Sequence, residues 1–328
     1  MFAPKTSTKP ANTPRSIWAP AFAGEIGKWV GVGCVLLAAS AHAADKPVIA
    51  FTWDDLPAHS ALPPGVTRVQ IAADLLKAAK DAKAPAFGFI NGAQAAATTT
   101  EPDSTPVLKM WRAAGQPLGN HTWSHRHIAT ATPEQYTAEI AQNEPLLKDL
   151  MGKEDWRWLR YPYLAEGDTL EKRLAVRAWL SDNHYKIASV TMSFADYAYN
   201  EPYARCVAKG DQAAIAELET RYLAGAAAVA DRARAMSQTL YGKDIPYVLL
   251  MHAGAFDARM APRLYKLYQD RGFGFTTLAK AEKHPFYRTD LNPGLPPEPT
   301  TLPDALKAKN LPVPADPVDL KPLDGMCR

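Results

Sequence analysis

Two histidines four residues apart, His121 and His125 in Gly119-Asn120-His121-Thr122-Trp123-Ser124-His125, lie downstream of a carboxylate pair, Asp54-Asp55. Two imidazoles and one carboxylate make the three-ligand set of a hydrolytic zinc site, which keeps one position open. The second carboxylate is then free to act as a base toward the activated water. Histidines at i and i+4 share a face on a helix and converge on a tight loop as well. Imidazole nitrogen suits Zn2+, with Co2+ or Ni2+ as substitutes. The same ligand set also forms the facial triad of non-haem iron oxygenases. The spare aspartate favours hydrolysis, because an oxygenase has no use for it.

These side chains need a frame that brings distant segments to one rim. From residue 47 onward, short β-rich runs alternate with longer helical patterns. The strand candidates are Val48–Trp53, Ala86–Ile90, Pro117–His121, Trp158–Tyr161, Tyr185–Val190, Tyr247–His252 and Gly272–Thr276. Helices are expected near 66–82, 104–114, 134–151, 168–182, 211–240 and 258–270. Thr132-Pro133-Glu134 is a good helix start, with proline in the first turn. Such alternation predicts an α/β fold, a parallel sheet with outer helices, open or closed into a barrel. Asp54, Asp55, His121, Arg160 and His252 all fall at or just past the carboxyl end of a predicted strand. In an α/β barrel, that is the rim where catalytic groups collect.

Three regions lie outside that alternation. Residues 197–242 are long for one connection, and their Ala-rich part reads as one helix or a helical pair covering the barrel, for packing rather than as a substrate lid. From 285 to 328 the chain is proline-rich and reads as an extended tail strapped to the surface or partly mobile. At the amino end, Trp29–Ser40 is a short apolar run behind Lys5, Lys9, Arg15 and Lys28, followed by Ala41-His42-Ala43. That pattern describes a secretory leader over 1–43, with an uncleaved anchor as the alternative. The expected organisation is thus a leader over 1–43, a barrel over 44–284 including the helical insertion, and the extension 285–328.

The leader also carries the charge. The formal net charge is +3, but residues 1–43 hold four of the Lys/Arg and one of the Asp/Glu, which leaves 33 of each. A neutral remainder lacks the basic footprint of a nucleic-acid binder. A hydrophobic fraction of 47% and a charged fraction of 22% are ordinary for a globular chain. Cys206 and Cys327 remain in an oxidising compartment and either pair or stay as two thiols.

Four motifs in order, Thr52-Trp53-Asp54-Asp55, His121-Thr122-Trp123-Ser124-His125, Arg160-Tyr161-Pro162-Tyr163 and Leu249-Leu250-Met251-His252, resemble those of the NodB-type polysaccharide deacetylases, carbohydrate esterase family 4. The resemblance runs from about residue 47 to 278. It implies a distorted (β/α)7-8 barrel that removes acetyl groups from N-acetylated or O-acetylated sugars with a divalent metal. Asp55, His121 and His125 would hold the metal, Asp54 would be the base, and His252 the acid that protonates the leaving amine. Arg160 would keep Asp54 ionised, and the backbone N–H of Tyr163 would stabilise the oxyanion.

Two departures alter the pattern. The glycine usual after the two aspartates is Leu56, continuing as Pro57-Ala58-His59, which sets His59 near the substrate. The usual Asp-Trp pair is Asp196-Tyr197, with Asp196 tuning His252 and Tyr197 walling the acetyl methyl. Leu249 is a further expected substrate contact. Trp53, Trp123 and Tyr161 offer ring faces to sugars, although core packing suits Trp53 better.

The expected protein is a periplasmic or secreted monomer acting on an acetylated glycan, with no stable membrane insertion once the leader is gone. The altered first loop keeps open a same-fold hydrolase of a small linear or cyclic amide. A catalytically inactive glycan-binding barrel is the reading of a different class.

Overall fold

The computed structural model describes residues 46–95 and 104–328. The leader expected over 1–43 lies outside the described residues. Seven strands form among them: β1 (Val48–Leu56), β2 (Ala86–Ile90), β3 (Leu118–Asn120), β4 (Trp158–Leu159), β5 (Lys186–Ile187), β6 (Tyr247–His252) and β7 (Gly274–Phe275). All pair in parallel, in the order β5-β4-β3-β2-β1-β6, with β7 added to the first residues of β1. The chain beyond β5 then returns to β6: Met192 bridges Leu249, and the Leu250 N–H donates to the Met192 carbonyl at 3.0 Å. That contact curls the sheet into a distorted (β/α) barrel, the closed form of the sheet that the alternation predicts and the one the motif resemblance implies.

A parallel strand covered on both faces reads as an unbroken apolar run. The run Ile49-Ala50-Phe51-Thr52-Trp53 in β1 behaves this way, and every residue of it is buried. Phe51 meets Tyr265 and Tyr268 of the helix Ala255–Asp270, and Trp53 stacks near Phe51 inside the core. The helix Pro133–Met151 begins where expected, because Thr132 and Gln135 cap each other's backbone N–H.

Residues 197–242 resolve into a helical pair, Asn200–Lys209 and Gln212–Tyr241, separated at Gly210, whose φ of 68° ends the first helix. The second helix buries Ile215, Leu218, Tyr222, Ala226, Val229 and Ala233, a helical spacing that packs it on the barrel.

The tail is strapped down and is more than an extended strand. Thr301 caps a helix, Leu302–Ala308, which buries Leu302 and Leu306 one turn apart. Further along, Arg232 donates to the Pro314 carbonyl, and Arg205 donates to the carbonyls of Leu323 and Met326. Cys206 and Cys327 form a disulfide across 121 positions of sequence. The tail therefore belongs to the same compact unit as the barrel.

Truncating Leu306 to alanine leaves a hole between tail and barrel and is expected to cost about 2–5 kcal/mol. The check is the urea midpoint of the oxidised protein, which should fall. A midpoint equal to wild type would show that the tail helix contributes no packing.

Candidate metal centre and active site

The two aspartates reach the same mouth because β1 stops pairing regularly just before it ends. Its register with β2 shifts between Trp53 and Leu56, and Asp55 takes a left-handed φ of 59°. Aspartate tolerates that region better than most residues. Without the irregularity, successive side chains on a strand would point to opposite faces.

His121 follows β3 directly, and His125 sits on the loop beyond it. The i, i+4 pair is therefore carried by a loop, with Thr122 and His125 at φ 63° and 56°. Three fully buried asparagines hold the loop in place. The Asn91 amide donates to the His121 and Thr122 carbonyls at 2.6 and 3.2 Å. The Asn120 side chain accepts from the Thr122 N–H at 2.9 Å, and Asn143 donates to the Asn120 side chain.

The result is a cluster of three donor atoms. Ligand atoms of Asp55, His121 and His125 all lie within 4.8 Å of one another. Both imidazole Nε2 atoms stand 3.5 Å from Asp55 Oδ1. The His121 Nδ1–H donates to the Arg160 carbonyl at 2.8 Å, which leaves the Nε2 lone pair facing Asp55. Asp55 Oδ2 accepts from His59 at 2.6 Å, while Oδ1 is buried without a hydrogen-bond partner.

Charge states suit ligation. Burial pushes the Asp55 carboxyl up, but the His59 hydrogen bond and the charges of His121, His252 and His125 outweigh it, and the group lies below the usual carboxylate range. Burial, followed by the neighbouring His121, lowers His125 to about 4. Near pH 7 the site therefore offers a carboxylate and a neutral His125 imidazole, the forms that bind divalent metal. An oxygen and two nitrogens, with one oxygen unpartnered, fit such an ion.

Beside this cluster, Asp54 is held by Arg160, whose guanidinium has no exposed surface. Its Nη1 lies 3.2 and 3.3 Å from the two Asp54 oxygens, Nη2 donates to Thr52 Oγ1, and Nε donates to the Ala188 carbonyl. Asp54 Oδ2 stands 3.6 Å from His121 Nε2, at the edge of the cluster.

His252 ends β6 opposite Asp54 in the strand register. The buried Asp196 accepts from its backbone N–H at 2.6 Å and lies 3.1 Å from its Nδ1. Burial alone would depress the imidazole pKa. The Asp196 charge and hydrogen bond, with Asp55 and Asp54 behind them, instead raise it to about 10.

These groups face a cavity of about 530 Å3. It brings together Asp54, Asp55, His59, His121, His125, Tyr163, Tyr197 and His252, with Arg160 and Asp196 placed behind them. Tyr163 is 63% exposed at φ 60°, its ring near His125. Tyr197 stands beside His252 and His59. Leu249 departs from expectation: it is 0% exposed, its carbonyl accepts from Thr52, and Leu250 lines the cavity instead. The alternation of β6 sends one of two adjacent leucines inward.

Sequence reasoning missed Asn91, Asn120 and Asn143, because a lone buried asparagine has no spacing signature. It also missed Asp316 and Val318, tail residues that form part of the cavity wall. Trp53 is buried in the core, and Tyr161 is buried beside Tyr136.

A histidine raised from 6.5 to about 10 stabilises the fold while it holds its proton. That contribution is complete below pH 6.5 and fades as pH climbs to about 10. In metal-free protein, Asp196→Asn is expected to bring the His252 titration down and flatten that part of the stability curve. Imidazole NMR reads it directly. A titration unchanged in the variant would remove Asp196 as the cause.

Comparison with known proteins agrees with the motif reading. The family model for polysaccharide deacetylase matches residues 41–179. A peptidoglycan-N-acetylglucosamine deacetylase of Bacillus cereus is 28% identical over 91 residues, 28% of this chain and 30% of that protein. A chitin deacetylase of Pestalotiopsis sp is 35% identical over 63 residues, 19% of this chain and 21% of its own. The chain thus spans less than a third of the length of these curated relatives. A solved family 4 carbohydrate esterase from Streptomyces lividans, in complex with acetate, is 16% identical, with 73% of this chain and 97% of that one covered. Its TM-score is 0.47. Over residues 41–179, where three of the four motifs lie, this chain matches the polysaccharide deacetylase family model.

Proposed function

We propose that this protein is a metal-dependent hydrolase that removes acetyl groups, N-linked and in some substrates O-linked, from a glycan. The observation that carries the reading is the buried, unpartnered Asp55 Oδ1 facing two imidazole nitrogens, with a second carboxylate alongside. Asp55, His121 and His125 hold the metal, Zn2+ in the first instance and Co2+ or Ni2+ as substitutes. When bound there, the ion lowers the pKa of a coordinated water and polarises the acyl carbonyl.

Asp54 takes the proton of the attacking water, and the Arg160 guanidinium, against both of its oxygens, holds that carboxylate aimed. The backbone N–H of Tyr163 donates to the acyl oxygen as negative charge grows on it. His252, fixed through its Nδ1 by Asp196, passes a proton to the leaving amine, which is a poor leaving group without one. Tyr197 and Leu250 wall the acetyl methyl. His59 holds Asp55 and borders the substrate.

The Cys206–Cys327 disulfide and the leader pattern of residues 1–43 support a periplasmic or secreted location. Among the described residues, no helix is long and apolar enough to cross a membrane. A small linear or cyclic amide is the second reading, favoured by His59 and the tail narrowing the mouth. A glycan-binding barrel without turnover is the third, and the complete Asp54, Asp55, His121, His125 and His252 set speaks against it.

The purified protein is expected to release acetate from N-acetylated glycan oligomers, to stop after chelation and to recover with Zn2+, Co2+ or Ni2+. Binding without turnover under any of these metals would favour the third reading. Asp54→Asn should lower kcat about 10²–10⁴-fold with bound metal unchanged; full rate in that variant would remove the base assignment. His252→Ala should slow amides far more than acetyl esters with good leaving groups. Equal losses on both would remove its acid role.

A further inference from the structure

The tail does more than cover the barrel. Asp316 and Val318 form part of the wall of the 530 Å3 cavity. A few residues on, Leu320, Leu323, Asp324 and Arg328 line a second hollow of about 350 Å3. The two hollows share His59 and Tyr197, so they are adjoining lobes with Tyr197, 44% exposed, at the junction. One continuous stretch of tail therefore borders both lobes, Asp316 and Val318 at the larger and Leu320 to Arg328 at the smaller.

That stretch is fixed at both ends. Ahead of Asp316, Arg232 donates to the Pro314 carbonyl at 3.1 Å. Beyond Leu320, Leu323 is buried and its carbonyl accepts from Arg205 at 3.3 Å. Cys327 is bonded to Cys206, and Lys209 donates to the Arg328 carbonyl at 2.6 Å. A wall pinned before and after the lobes cannot swing aside without breaking several of these contacts.

An interior unit of a polysaccharide carries chain on two sides and needs an exit on each. A chain end, or a short oligosaccharide, needs only one. We propose that the anchored tail makes this enzyme selective for the terminal unit of a glycan or for short acetylated oligosaccharides, with Asp316 and Val318 as the residues that close the far side. This rests on the deacetylase reading above and narrows its substrate. The reacting acetylated unit occupies the larger lobe. The neighbouring unit turns past Tyr197 into the second lobe, where the carboxylates of Glu201 and Asp324 accept from sugar hydroxyls while Arg205 stays engaged with the tail carbonyls.

The test uses the full-length oxidised protein with zinc. Wild type should turn over an acetylated trisaccharide with kcat/KM about tenfold above that on a long soluble polymer of the same unit. Mass spectrometry of a partly deacetylated hexamer should find acetyl lost at one terminal unit. The double substitution Asp316→Gly/Val318→Gly opens the wall and should bring the polymer-to-trisaccharide ratio toward unity. So should Cys206→Ser/Cys327→Ser, which releases the far anchor. Because each result is a ratio within one preparation, a loss of folded protein does not disguise it. Wild-type attack at interior units, or a ratio unmoved by both variants, overturns the selectivity while the deacetylase reading stands. Absence of acetate from every glycan overturns that reading and this inference with it.

Discussion

A carboxylate oxygen buried against two imidazole nitrogens, with no hydrogen-bond donor of its own, is expensive unless a cation joins them. Asp55 Oδ1 is in that position. Much of the surrounding fold serves to keep it there. The end of β1 leaves its ladder so that Asp55 can turn inward, and the His121–His125 loop is tied to the sheet through buried asparagines. His59 occupies the other oxygen. The arrangement is one that could hold a divalent ion.

A second constraint concerns the division of labour between two neighbouring titratable groups. Arg160 surrounds Asp54 with positive charge and donors, while Asp196 holds His252 in its protonated form. The two groups thus stand in contrasting surroundings, one against a guanidinium and the other against a carboxylate. Arg160 links the proposed base to the proposed metal ligands as well. Its guanidinium holds Asp54 and its own carbonyl fixes the tautomer of His121. One residue thus aligns the proposed base with a proposed ligand.

The strand ends were legible in the sequence because a covered parallel strand must be apolar and because chemistry collects where such strands stop. Asp54, Asp55, His121 and His252 all appear at the rim for that reason. The loop geometry was less legible: His at i and i+4 fits helix and loop equally, and only the positions of Asn91, Asn120 and Asn143 decide. Leu249 and Leu250 are chemically alike, so the choice between them depends on strand phase, which a short apolar run does not reveal. Helix Asn200–Lys209 was hidden by the alanine-rich signal after it. The disulfide was equally closed to inspection, since pairing depends on Cα positions set by the whole fold. The tail helix did carry a capping pattern, Thr301 with Asp304, masked by the prolines around it.

The metal centre can be tested without reference to any substrate. Crystals grown with Zn2+ and measured at the zinc absorption edge should show an anomalous peak about 2.0–2.2 Å from Asp55 Oδ1, His121 Nε2 and His125 Nε2. The peak should be missing in His125→Ala crystals grown the same way. A map with no peak among these three atoms at saturating zinc, or zinc bound only elsewhere, would contradict the account at its base.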